Sequence, residues 1–331
     1  MTRMTIEAIA PGKVIIAGEH FVVENEPGIA AAISLYAKVK LELLPEQEVI
    51  EIHSVNYNVS ERIKINEISK GRIKCEKIFH PFIRVLQKIL EEYGKLPPSR
   101  IEISSQIPSK AGLGSSAATA VAFSAALLRA TGSEVNLDEV SALAYEAEKI
   151  SHGKPSGIDN TVSTYGGVIV FKKSEGFIKL DEVDCSKFKI VLADTGSRES
   201  TKKLVEKVRR LKSEYEEIFM PFYHAAGHLT IELAKKLSEG DIMAVGELMN
   251  VAHGMLYSLG LSTETVEKLV FAARKAGAFG AKITGAGGGG IIIALTTPEL
   301  AENVSNELLN AGASWVKIVN VVQEGVIVNE V

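Results

Sequence analysis

The sequence predicts an α+β protein of two domains, 1–182 and 183–331, and three observations carry that expectation. Its 331 residues exceed one ordinary core and fall short of three, at ~100–200 residues per domain. Period-two and helical hydrophobic patterns are mixed in both halves, without the regular alternation of strand and helix that a parallel sheet requires. After the polar stretch Asp181–Lys187, strand-like runs give way to a half in which helical periodicity dominates.

The elements follow in order. Ile6–Ala10 and Val14–Ala17 read as strand on either side of Pro11-Gly12, and Val39, Leu41 and Leu43 alternate with charged residues as in a half-buried strand. Ile50–Ile52 is a further strand. Pro81–Tyr93 is apolar at helical spacing and is followed by Gly94, where a C-capping glycine belongs. Ile101–Ser105 is a short strand, and the alanine-rich run Ser116–Ala130 a strong helix former. Asn136 with Glu139 has the spacing of a capping box for a helix to about Ile150. Val168–Phe171 and Phe188–Ala193 read as strands. From Thr201 to Ala276 several helices are punctuated by Gly240 and Gly260. Ala281–Thr284 and Ile291–Leu295 form two strands around a glycine turn. Thr297-Pro298 opens a helix to Ala311, with a capping hydroxyl and proline at its first position, and Val316–Val322 is the last strand.

Composition narrows the function. Hydrophobic residues make up 46% and charged residues 24%, an ordinary globular balance. A net charge of -4 argues against a nucleic-acid partner held by phosphate neutralisation. No stretch reaches the ~20 apolar residues needed to span a bilayer, and Met1–Pro11 lacks the apolar core of a signal peptide. A cytoplasmic protein with no membrane partner is the expectation. Cys75 and Cys185 fit neither a redox pair nor a metal-ligand set.

Three glycine-bearing motifs carry the chemistry. The first, Pro108-Ser109-Lys110-Ala111-Gly112-Leu113-Gly114-Ser115-Ser116-Ala117, lies between a strand and a helix. Glycines allow close backbone approach, and the helix N-terminus offers free N–H groups to an anion. A phosphate site and a plain capped helix both fit. The Walker pattern is missing from the chain. Gly112-x-Gly114-x-x-Ala117 matches a relaxed dinucleotide fingerprint, but Glu134, at the right distance, sits in a polar turn. The second motif is Pro11-Gly12-Lys13 with Gly18-Glu19-His20. A lysine in an apolar strand needs a partner or a route to solvent. The third, Thr284-Gly285-Ala286 with Gly287–Gly290, leads into a strand; it suits either a phosphate-approaching turn or a flexible hairpin. Glu148 and Asp159 flank the turn of His152-Gly153-Lys154-Pro155-Ser156-Gly157-Ile158-Asp159-Asn160, where they could hold a metal and a substrate hydroxyl or be surface charges. His224 and His228 share a helical face without a third ligand and read as structural.

In this order and spacing the motifs resemble those of the GHMP kinases (galactokinase, homoserine kinase, mevalonate kinase, phosphomevalonate kinase), and the resemblance covers essentially the whole chain. Gly18-Glu19-His20 and above all His152–Asn160 are most similar to the mevalonate kinase branch; galactokinases usually continue the first with Thr-Asp, where this chain has Phe21-Val22. The resemblance implies an N-terminal domain like the second domain of ribosomal protein S5, a ferredoxin-like C-terminal domain, and an active site in the cleft between them. It implies ATP- and Mg²⁺-dependent phosphorylation of the 5-hydroxyl of mevalonate in isoprenoid biosynthesis. The alternatives are another acceptor of this superfamily, such as phosphomevalonate or homoserine, and a silent ligand-binding regulator. The partners implied are ATP and mevalonate, with homodimerisation left open.

Carried over by matching position, Asp159 accepts the substrate hydroxyl proton and Lys13 beside it helps to activate the hydroxyl. Ser116 and Glu148 match the Mg²⁺ ligands. Lys110, Ala111, Gly112, Leu113, Gly114, Ser115, Ser116 and Ala117 would wrap the ATP phosphates. Glu19, His20 and Thr284 match substrate-binding positions. Two features depart from the family pattern. Glu24-Asn25-Glu26-Pro27 stands where a glycine-containing turn is common, and Val170 stands where relatives carry an arginine suited to the substrate carboxylate, with Lys172 and Lys173 the nearby cations.

Overall fold

The computed structural model describes residues 5–70, 73–153, 155–181 and 183–331. Lys154 of the His152–Asn160 segment, Glu182 at the expected end of the first domain, and Met1–Met4 of the stretch read for a signal peptide lie outside the described residues. The chain begins with β1 (Thr5–Ala17), β2 (Gly28–Leu43), β3 (Val49–Ser54), β4 (Val59–Lys64) and the short helix α1 (Ile65–Ile68). Then come α2 (His80–Tyr93), β5 (Ser99–Ser105), α3 (Ser115–Ala130), α4 (Leu137–His152) and α5 (Ile158–Tyr165). The hairpin β6 (Val168–Lys172) and β7 (Gly176–Leu180) precedes β8 (Lys189–Arg198). Four helices follow: α6 (Thr201–Glu214), α7 (Glu216–Glu239), α8 (Ile242–Ser258) and α9 (Glu264–Lys275). The remainder is β9 (Gly280–Ile283), β10 (Gly289–Thr296), α10 (Ala301–Asn310), β11 (Trp315–Val319) and β12 (Ile327–Glu330). The class is α+β, as the periodicities imply.

The chain forms two compact units, neither of them a single stretch of sequence. The first comprises Met1–Lys13, Leu35–Gly166 and Glu324–Val331; the second comprises Val14–Ser34 and Gly167–Gln323. In the first unit the strands run in the order β12, β1, β2, β5, β3, β4, with β3 and β5 parallel. Helices α2 to α5 pack together beside them. The small side chains of α3 explain its central place: every residue from Ala117 to Leu128 is buried, and alanine lets neighbouring backbones approach closely at little entropic cost. In the second unit β6 pairs with Gly28–Ala31 of β2, and a separate antiparallel sheet runs β11, β8, β10, β9. Its core gathers Phe21, Val191, Leu204, Tyr223, Leu256, Leu269, Ile283 and Ile292.

Local sequence signals account for several element ends. Gly94 closes α2 with φ +67°. Asn136 accepts hydrogen bonds from the N–H groups of Asp138 and Glu139 at 2.8 and 3.2 Å. Glu139 does not complete a reciprocal box, because its carboxylate accepts from the Tyr93 hydroxyl at 2.7 Å instead. Two expectations are corrected. Pro11-Gly12 does not break the first strand, and β1 runs through it. Thr297-Pro298 does not open the last helix: residues 298–300 form a turn and α10 starts at Ala301 without a side-chain cap. The Glu24–Pro27 segment solves its missing glycine with Asn25, which takes φ +65°. Asparagine tolerates that left-handed geometry better than other non-glycine residues, and here its Oδ1 also accepts from the Ser174 N–H at 2.8 Å.

Candidate active site

In the first unit the residues singled out for catalysis meet around Lys13. The Lys13 N–H donates to the Leu113 carbonyl at 2.9 Å, which ties β1 to the glycine loop ahead of α3. Its Nζ lies 3.2 Å from Asp159 Oδ1, so the strand lysine has the partner its burial demands. The Lys13 side chain is only 5% exposed and that of Asp159 is 35% exposed. The cation is therefore held in place while the carboxylate still faces solvent. Asp159 sits in the first turn of α5, whose entry is set by Gly157 at φ +87°. Its neighbour Asn160 fixes that turn to α4, donating from Nδ2 to Ser141 Oγ at 2.9 Å and to the Ser141 carbonyl at 3.2 Å.

Glu148, in the last turn of α4, is buried and accepts from the Ser116 hydroxyl at 2.6 Å. His152 Nε2 lies 3.7 Å from its other oxygen. Burial pushes the Glu148 carboxyl above the usual carboxylate range; the Ser116 hydrogen bond and His152 pull it down, Asp159 raises it, and Lys13 lowers it. A buried carboxylate in that condition is poised to gain from a cation. A cavity of about 210 Å³ opens here, lined by Glu148, His152, Ser156, Asp159 and Asn160 among others.

The loop before α3 is shaped for backbone contact. The side chains of Ala111 and Leu113 are buried, whereas Lys110, Gly112 and Ser116 are exposed. Gly114 has φ +74°, and a Cβ there would stand 3.0 Å from Lys13 Cγ. Gly114→Ala is therefore expected to cost about 1–2 kcal/mol for the left-handed residue alone, and to displace Lys13. A lowered melting temperature together with a lowered kcat checks this; loss of stability with kcat unchanged would separate Gly114 from Lys13.

The second unit holds the other three expected site residues, Glu19, His20 and Thr284. The Thr284 hydroxyl accepts from the Ile15 N–H at 2.9 Å and donates to the Ile15 carbonyl at 3.1 Å. His20 Nε2 donates to the Ala286 carbonyl at 2.9 Å. Glu19 forms an ion pair with Lys282, whose side chain is fully buried. Sequence reading missed Lys282, although the signal was there: it lies between Ala281 and Ile283 in an apolar strand, the same reason that drew attention to Lys13. Beneath that strand the His253 ring accepts the Ile283 N–H at Nδ1 (3.4 Å) and donates from Nε2 to Glu267 (2.9 Å). Burial lowers the His253 pKa, against the pull of Glu267.

Other candidates stand apart from this chemistry. Lys172 is paired with Glu175 at 2.5 Å on the β6–β7 hairpin. His224 Nδ1 lies 2.8 Å from Glu26. Among the described residues no group of three or more His, Cys, Asp or Glu side chains could hold a metal ion by itself, and no helix is long and apolar enough to cross a membrane.

Comparison with known proteins shows the family. The model for the GHMP kinases N terminal domain matches residues 80–167, and that for the GHMP kinases C terminal matches 233–314. The family match and the full-length relatives define an ATP-dependent small-molecule kinase. The chain belongs to the GHMP kinase family. It is 38% identical to the mevalonate kinase of Pyrococcus furiosus, with 99% of each chain covered, and 35% identical to that of Aeropyrum pernix over 88% of this chain and 89% of the relative. Among solved structures, the L. major mevalonate kinase in complex with R-mevalonate superposes with a TM-score of 0.81 at 29% identity, covering 96% of both chains. The Methanococcus jannaschii mevalonate kinase gives 0.82 at 28% identity, covering 97% of this chain and 99% of its own.

Proposed function

We infer that this protein transfers the terminal phosphoryl group of ATP to the 5-hydroxyl of mevalonate, giving 5-phosphomevalonate and ADP. Full-length similarity to mevalonate kinases supports the choice of acceptor, and the Lys13–Asp159 pair is the observation that carries the chemistry. The halves 1–182 and 183–331 act as its N- and C-terminal GHMP kinase domains, and the two matched stretches fall on either side of that division.

Phosphoryl transfer asks a protein chiefly for positioning and charge neutralisation. Asp159 accepts the hydroxyl proton as the oxygen attacks phosphorus, and Lys13 holds that carboxylate and offsets developing charge. The backbone from Lys110 to Ala117 cradles the phosphates at the N-terminus of α3. Glu19, His20 and Thr284 shape the side that receives the alcohol.

Glu148 and Ser116 fit a Mg²⁺ ion. The carboxylate is buried with its pKa raised by that burial, and its partner is a hydroxyl oxygen, the hard donor Mg²⁺ prefers. Two protein oxygens suffice, since this ion normally completes its shell with phosphate oxygens and water. Bound there, it would neutralise charge on the phosphates.

The test is coupled ADP release with Mg-ATP and a panel of mevalonate, phosphomevalonate and homoserine. Turnover with mevalonate at a kcat/KM well above the others is expected. Preference for either competitor would overturn the assignment of the acceptor.

A further inference from the structure

We propose that Lys282 is a positioning residue for the glycine loop after β9, and that Glu19 serves the reaction through Lys282. The pair is one rung of a clasp between residues 15–20 and 282–286. Thr284 takes both backbone groups of Ile15, Glu19 meets Lys282, and His20 meets the Ala286 carbonyl. Each rung uses a side chain and spans more than 260 positions of sequence. Lys282 also donates to the Ile283 carbonyl at 2.6 Å, so the pair grips the strand's backbone as well.

The loop needs such support. Gly285 and Gly287–Gly290 all have positive φ, and a run of glycines loses more conformational freedom on ordering than any other sequence. One flank is held by backbone: the Gly288 N–H donates to the Leu261 carbonyl at 2.7 Å, and the Glu199 N–H to the Gly288 carbonyl at 3.0 Å. A Cβ at Gly287 would lie 2.6 Å from that same Leu261 oxygen, which shows how tightly this flank sits. The other flank is open, since a Cβ at Gly285 would meet nothing within 4 Å. The residues on either side of Gly285 are the ones the clasp fastens. A hydrophobic pair would fill the buried position of Glu19 and Lys282 with equal or greater stability, so the ion pair points to a demand for one defined geometry.

The inference rests on the kinase reading for its turnover assay, but its structural readout does not. Glu19→Gln, Lys282→Met and the double variant are compared by kcat, by KM for ATP and for mevalonate, and by hydrogen exchange of amides 284–290. Each single variant is expected to lower kcat by about 100-fold, as when a lost support lets a reacting group drift by an ångström. Exchange should quicken in 284–290, and in Lys282→Met the KM for mevalonate should stay within about twofold. The double variant should be no worse than either single one, because the two act as a unit. Wild-type kcat in Lys282→Met would overturn the proposal. So would a rise in mevalonate KM in Glu19→Gln with loop exchange unchanged, which makes Glu19 a direct contact. Should the charge variants fail to fold, Thr284→Ser and Thr284→Val replace them. Serine keeps the hydroxyl rung and its exchange protection, valine loses both, and equal protection in the two would sink the clasp. Absence of mevalonate turnover in the wild type refutes the acceptor assignment alone, since the exchange data still judge the clasp.

Discussion

Asp159→Asn is expected to lower kcat by about 10²–10⁴-fold, the range a positioned general base contributes, with KM for mevalonate changed little. The amide has the shape of the carboxylate and an oxygen that can still accept from Lys13 Nζ, now 3.2 Å away. The turn at the head of α5 is held independently by Asn160 and Gly157, so the variant should fold. What it loses is the capacity to take a proton. Steady-state ADP release measures this directly. Retention of activity within about tenfold would mean that Asp159 only orients the alcohol, an outcome that a loose transition state permits.

Glu148→Gln is the second large effect, and it should move activity and stability in opposite directions. Activity should fall by about 100-fold, in keeping with removal of one preorganised electrostatic contact, and half-maximal rate should require more Mg²⁺. The sign of the stability change follows from linkage. The folded carboxyl has a pKa above its ordinary 4.5, so the fold favours the protonated form. Well below 4.5 both folded and unfolded chains are protonated, and nothing is lost. As pH rises from there through the raised folded value, the folded state must carry a buried charge and stability falls. Glutamine never acquires that charge. The variant should therefore melt above the wild type near neutral pH and together with it in acid. A variant less stable than wild type at neutral pH would show that Glu148 is better satisfied in the fold than its burial implies.

Much of this architecture was legible because its signals are local. The helix ends at Gly94 and Asn136 and the strand periodicity of β2 and β5 depend on neighbouring residues alone. So do the glycine motifs. Elements that sequence reading missed are made by pairing with another strand, the adjacent hairpin strand for β4 and β7 and a distant one for β12. β4, β7 and β12 are short and partly polar, and each is a strand only because another strand runs alongside it. Thr297-Pro298 carried a good local start signal, yet the chain turns there and α10 begins three residues later, an instance of tertiary context overriding propensity. Within the candidate site, Lys13, Glu148 and Asp159 were visible from their motifs. Lys282 carried the same local signal, a lysine in an apolar strand, and was passed over; only its partner, a glutamate 263 positions away, lay beyond local reading.

The edge strand β12 has a consequence for synthesis. Residues Ile327–Glu330 pair with Ile6–Ile9, so β1, second in the strand order of the first unit, takes its outer neighbour from residues translated long after it. All of Gly167–Gln323, the larger part of the second unit, is made in between. Through that interval the outer edge of β1 offers unpaired backbone groups to any other nascent strand. Unit-by-unit folding from the N-terminus, common in multidomain chains, cannot finish the first unit here until translation of the second is over. Pulse-labelled chains stalled before residue 327 should accordingly be more protease-sensitive in residues 5–13 than chains extended past residue 330.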